Sequence, residues 1–106
     1  MFFKKAYHDF KSAIQQTDGL AVMALFFDIT EVDNPSYSEF TNLLEKVRKS
    51  NSSVDFNKQT SLRNFLASDL DTYYTYDGSL TTPPCLEVVK WIDIEEPVLL
   101  SHNQVN

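Results

Sequence analysis

The 106 residues predict one α+β domain that is mostly β. Leu20 to Ile29 is almost continuously apolar before Asp28, as a strand buried on both faces would be. Tyr73 to Tyr76 is an aromatic run that stops at the Asp77-Gly78 turn, and Leu86 to Ile94 alternates imperfectly around Trp91. Against these strands, only the segment from Pro35 to Lys49 carries a helical period of any length.

In chain order, Met1-Phe2-Phe3 opens in the middle of an apolar pattern. Asp9 to Gln16 predicts a short helix, with Phe10 and Ile14 on one face, and Asp18-Gly19 punctuates the chain before the first strand. Ser36 and Glu39 have capping-box spacing. Phe40, Leu43, Leu44 and Val47 then form one apolar stripe at i, i+3, i+4 and i+7. Lys46, Arg48 and Lys49 suit the negative end of that helix. Asn51 to Thr60 reads as a polar loop, Leu62 to Leu66 as a helical turn, and Pro97 to Leu100 as a short apolar run. Ser101 and Gln104 form a second capping signature just before Asn106. A helix of one turn does not stand alone. The expectation is a single partial domain, 1–106, cut at both ends, with no repeat or linker inside it.

Nine basic residues against 15 acidic ones give a net charge of −6, the wrong sign for a nucleic-acid or anionic-membrane footprint. The longest wholly apolar run, Leu20 to Phe27, is too short to span a bilayer, and Met1 to Lys5 lacks the order of a signal peptide. Cys85 stands alone and cannot close an intrachain disulfide. With His8 and His102 it makes no zinc pattern, so both imidazoles read as solvated and no metal ligands are expected in this chain.

The segment Tyr76-Asp77-Gly78-Ser79-Leu80-Thr81-Thr82-Pro83-Pro84-Cys85 is unusual on physical grounds. Gly78 permits a positive φ. Pro83 and Pro84 fix φ, remove two amide donors and admit a cis bond between them. The expected product is a stiff, non-helical stretch that holds Thr81 and Thr82 beside apolar Leu80, suited to orienting a small polar nucleophile. A plain stiff turn with solvated threonines fits the same residues.

This stretch, with Leu86-Glu87-Val88-Val89-Lys90-Trp91 after it, resembles the signature of the α-class carbonic anhydrases. The resemblance extends to Lys5-Ala6-Tyr7-His8-Asp9-Phe10, to Gln15-Gln16-Thr17-Asp18-Gly19-Leu20-Ala21-Val22, to Glu95-Glu96-Pro97-Val98 and to Ser101-His102-Asn103-Gln104-Val105. It implies part of a fold built on a large, mainly antiparallel central sheet with short peripheral helices. It also implies hydration of CO2 to bicarbonate and a proton, with Zn2+ held by three histidines lowering the pKa of bound water. By the resemblance, Thr81 orients the zinc-bound hydroxide and passes its own proton to a glutamate, and Thr82 contacts bicarbonate or water. Val22, Leu80, Val89 and Trp91 match the apolar wall where CO2 waits. Tyr76, Ser79 and Glu87 match supporting positions, and Pro83-Pro84 the family's cis peptide.

The departures are Tyr74 where tryptophan is frequent and His8 where glycine is usual. The zinc histidines, the glutamate partner and the proton-shuttle histidine have no matching positions here. The resemblance therefore implies a chain that lacks the N-terminal part of its own domain, holds no zinc and is inactive alone. Secreted and membrane-anchored members carry a cysteine at the position of Cys85, bonded to one near the domain's start, a partner this chain lacks. A small buried free thiol is the other reading of Cys85. Asn51-Ser52-Ser53 is a glycosylation acceptor and agrees with a secreted or extracellular parent. The alternative function is a non-catalytic binding module of the same fold, which the residues upstream would distinguish.

Overall fold

The computed structural model describes residues 1–56, 59 and 61–106. Among them are strands β1 (Phe2–Phe3), β2 (Leu20–Ala24), β3 (Phe27–Thr30), β4 (Tyr73–Gly78), β5 (Val89–Ile94) and β6 (Val98–Ser101). The α-helices are short: α1 (Phe10–Ala13), α2 (Ser38–Leu43) and α3 (His102–Val105). Among the described residues, no helix is long and apolar enough to cross a membrane. The chain divides into two compact units, Met1–Phe26 with Asp69–Glu96, and Phe27–Ser68 with Pro97–Asn106.

The first unit is a four-stranded sheet in the order β1-β2-β5-β4. β2 and β5 run parallel, with Leu20 opposite Val89 and Val22 opposite Trp91. β4 lies antiparallel to β5, with Tyr76 opposite Trp91. Side chains alternate along a strand, so Leu20, Val22, Val89 and Trp91 share one face. That face meets Ala13 of α1 in a core of Ala13, Leu20, Val88 and Val89, with Tyr7 and Ile14 packed on it. Asp9 caps α1 by accepting the Ser12 amide at 2.7 Å. The chain then returns so tightly that a Cβ on Gly19 would sit 1.7 Å from the Ala13 carbonyl oxygen. Only glycine fits there.

The predicted strand from Leu20 to Ile29 is two strands in two sheets. β2 pairs with β5, whereas β3 pairs in parallel with β6. Nor is the run buried on both faces: Phe26, Phe27 and Ile29 are about half exposed. An unbroken apolar run carries no mark where one pairing partner gives way to another, so the change of sheet was invisible in it.

In the second unit, β6 leads into α3 through the predicted capping box. Ser101 Oγ accepts the Gln104 amide at 3.2 Å, and Gln104 Oε1 accepts the Ser101 amide at 3.2 Å. Gln104 also accepts the Asn34 amide at 2.8 Å and donates to the Asn34 carbonyl at 2.9 Å. The single turn of α3 thus survives through tertiary bonds.

The box expected from Ser36 and Glu39 does not start the long helix. Asn34 caps it instead, accepting the Ser36 amide at 3.0 Å, because Pro35 takes the first helical position and leaves Ser36 inside the turn. The helix is also interrupted, running as 3₁₀ over Pro35–Tyr37, α over Ser38–Leu43 and 3₁₀ over Leu44–Val47. Of the stripe, Leu43 is buried while Phe40 and Leu44 stay 42% exposed. The side chain that anchors this unit is Tyr37, which is buried and donates to the Phe65 carbonyl. Its ring meets Phe27, Phe40 and Phe65 edge-on, with centroids 5.8, 6.4 and 5.1 Å away. The turn predicted over Leu62 to Leu66 is a 3₁₀ helix over Leu62–Phe65. Of the predicted loop from Asn51 to Thr60, Asn57, Lys58 and Thr60 lie outside the described residues; the rest carries no helix or strand.

Candidate functional site: a clipped threonine loop beside an apolar sheet face

The loop between β4 and β5 carries Thr81 and Thr82, and three hydrogen bonds hold it. The Trp91 indole Nε1 donates to the Ser79 carbonyl at 3.1 Å. The Leu80 amide donates to the Leu86 carbonyl at 3.0 Å, closing the loop at its base. At the tip the Cys85 amide donates to the Thr82 carbonyl at 2.9 Å across a cis Pro83-Pro84 bond. A turn with a cis proline at its third position is the type VI form. Both threonines are exposed, so the loop presents two hydroxyls on a fixed backbone.

Beside the loop lies the sheet face with Val22, Leu80, Val89 and Trp91. Val89 is 2% exposed and belongs to the core, while the other three pack on it and keep some surface. The structure therefore brings together four residues drawn from β2, β5 and the loop. Leu86 and Val88, which the sequence reading did not single out, join the same cluster.

Gly78 does not adopt the positive φ that its sequence context allowed. It ends β4 in extended pairing with Val89, and its glycine character answers a different need. A Cβ there would stand 2.8 Å from Trp91 Cδ1. The indole occupies the space a side chain would take. Tyr76 stacks on Trp91, with ring centroids 6.5 Å apart and planes at 12°. The Tyr76 hydroxyl donates to Asp93 Oδ2 at 2.9 Å, and that bond holds the phenol's pKa above its ordinary value, with lesser contributions from desolvation and the carboxylate's charge. Asp93 was missed in the sequence, although it stands two residues beyond Trp91 on the same strand face.

A second polar cluster joins the start of the chain to the Asp18-Gly19 turn. Asp18 accepts from Lys4 Nζ at 2.6 Å and from the Tyr7 hydroxyl. The bond from Lys4, then that from Tyr7, lowers the Asp18 pKa; the same bonds raise the pKa of Lys4 and Tyr7. The Lys4 amide adds a 2.8 Å bond to the Gly19 carbonyl. Lys4, Asp18 and Gly19 line a groove of about 730 Å³ with Phe2, Ala21, Lys90 and Glu87, a groove that includes neither Thr81 nor Thr82. Glu87, which the resemblance matches to a supporting position, is exposed and lines this groove.

The reading of Cys85 as a buried thiol is overturned: it is free and exposed, with φ 56°. The turn geometry places its side chain outward, which no local sequence pattern encodes. Asn51 is exposed in a turn closed by the Ser52 amide to the Lys49 carbonyl at 3.2 Å, and its φ of 62° is one asparagine tolerates. His8 and His102 are both exposed.

A family model described as eukaryotic-type carbonic anhydrase matches residues 1–106. Carbonic anhydrase 6 of Mus musculus is 42% identical over 104 residues, covering 97% of this chain and 32% of that protein. Carbonic anhydrase 3 of Homo sapiens is 35% identical over 99 residues, covering 93% and 37%. Carbonic anhydrase 6 of Bos taurus is 35% identical over 104 residues, covering 97% and 32%. The chain spans about a third of the length of these relatives.

Proposed function

The chain belongs to the eukaryotic-type carbonic anhydrase family, and we propose that it supplies the threonine loop and the apolar wall of a site that hydrates CO2 to bicarbonate. The carrying observation is the convergence of Val22, Leu80, Val89 and Trp91 on one cluster beside a loop that exposes Thr81 and Thr82 on a clipped backbone. We take residues 1–106 as part of one domain, since a single family model spans them.

Among the described residues, no three His, Cys, Asp or Glu side chains come together to hold a metal. The residues present do not fit Zn2+, so the proposed enzyme takes its zinc ligands from outside this chain. What these residues contribute is substrate placement. CO2 has no net dipole, and an apolar wall holds it without competing for the nucleophile. A hydroxyl both accepts and donates, so Thr81 fixes the lone pair of an attacking hydroxide toward carbon. The new C–O bond forms as one C=O π pair moves onto oxygen, giving bicarbonate. Thr82 is placed to bond the product or a neighbouring water.

The test is stopped-flow CO2 hydration by the protein encoded by the longest reading frame that contains these residues. Thr81→Ala is expected to lower kcat/KM by about 10²-fold, the scale for losing an orienting contact. No hydration by the wild-type protein would instead indicate the non-catalytic binding module. A secreted or extracellular parent is the accompanying proposal, supported by the exposed Asn51 sequon and the exposed Cys85. Expression in a secretory cell should give a glycosidase-sensitive form that Asn51→Gln removes. A wild-type form with unchanged gel mobility after digestion would count against it.

A further inference from the structure

Asp93 carries a carboxylate whose bonding is one-sided. Its Oδ2 accepts from Tyr76, while its Oδ1 is buried without a hydrogen-bond partner among the described residues. Burying an acceptor unpaired works against stability, so the carboxylate is poorly explained as a folding device. Its one bond leads toward the loop. Tyr76 lies flat on Trp91, the glycine at 78 leaves the indole room, and the indole N–H holds the carbonyl of Ser79, two residues before Thr81.

We infer that Asp93 is a positioning residue which, through Tyr76, sets the plane of Trp91 and with it the backbone of the Thr81 loop. The register makes this possible: Tyr76 is opposite Trp91, and Asp93 stands one alternation further along β5, within reach of a diagonal phenol. A tyrosine ring stacked on an indole can slide in its own plane. A hydrogen bond at the far end of the ring removes that freedom. Loss of the bond releases the ring, then the indole, then the Ser79 carbonyl, and the effect on Thr81 is looser placement rather than lost chemistry. Only the last link, to Thr81 as a reacting group, rests on the proposed CO2 hydration; the others are properties of this chain.

Trp91 is the single tryptophan, so its fluorescence, excited where tyrosine does not absorb, reads the device directly. Asp93→Ala and Tyr76→Phe should each shift its emission and raise its acrylamide quenching constant about twofold. Asp93→Asn keeps an acceptor for the phenol and should behave as wild type, and Tyr76→Phe should add nothing in the Asp93→Ala background. By hydrogen exchange with mass spectrometry, the Leu80 amide should exchange about tenfold faster in Asp93→Ala, while the Leu20 amide, bonded to the Val88 carbonyl at 3.0 Å, stays unchanged. Asp77→Ala, which breaks only the exposed 2.6 Å pair to Lys90, serves as the control and should leave Trp91 as it was. Folded Asp93→Ala with wild-type Trp91 emission and Leu80 exchange overturns the inference. If Asp93→Ala does not fold, wild-type Trp91 behaviour in Tyr76→Phe overturns it equally. A normal Trp91 response in a protein without CO2 hydration would remove the functional reading and leave this device standing.

Discussion

His8 holds φ 65° and ψ −42°, with the Asp9 amide bonded to the Tyr7 carbonyl at 2.7 Å. That is a γ-turn of the strained hand, in a region where L residues with a Cβ are disfavoured. The sequence flagged His8 only as a departure from the family's glycine; the backbone supplies the reason that glycine is usual there. His8→Gly should therefore raise stability, by about 1 kcal/mol, read as a higher urea midpoint at unchanged m-value. An unchanged or lower midpoint would mean that the imidazole contributes something the backbone does not reveal. Gly78 shows the converse. Its identity was legible, but its purpose was not, because the need arises from Trp91, which is far along the chain and adjacent only across the β4–β5 ladder.

Among the elements, the junction of β1 with the Asp18-Gly19 turn depends on charge. Asp18 has a folded pKa below its ordinary 3.8, so its contribution is complete above that value and is lost as pH falls through the lower, folded one. Lys4 and Tyr7 have folded pKa values above 10.5 and 10.0; their contributions are complete below those values and fade as pH rises through the folded ones. Stability should thus have a plateau between the acid and alkaline limbs, and Asp18→Asn should shrink the acid limb and the alkaline one together. Urea midpoints measured across pH check this. An acid limb identical in Asp18→Asn would assign it to Asp9, whose pKa is also lowered, by the Ser12 amide. Element identity was legible wherever a local pattern sufficed: the Ser101–Gln104 box, the Leu62 turn and the β4 and β5 strands all form. Boundaries were not, because the division of Leu20 to Ile29 is made by β5 and β6, which lie about seventy residues further along the chain.

For the whole molecule, each unit closes a modest core, and among the described residues β1 and β4 are the edge strands of the four-stranded sheet. Large apolar side chains remain half exposed in both, Phe3 and Tyr74 in the first unit, Phe27 and Leu99 in the second. No metal cluster forms among the described residues, and the 106-residue chain is expected to retain zinc only substoichiometrically after dialysis and to hydrate no CO2. Metal analysis of the purified chain checks the first; one equivalent of zinc, removed together with activity, would refute both.

The sequence by itself carried the family signature and determined the stiffness of Ser79 to Cys85, which is written in residue types whose backbone limits act locally; the set Val22, Leu80, Val89 and Trp91 came from the resemblance alone. Only the tertiary structure decided that these four meet, that Gly78 serves Trp91, that Cys85 is exposed and that Asp93 reaches Tyr76. Those facts are contacts across a sheet, and strand register, which fixes them, is set by partners distant in the chain.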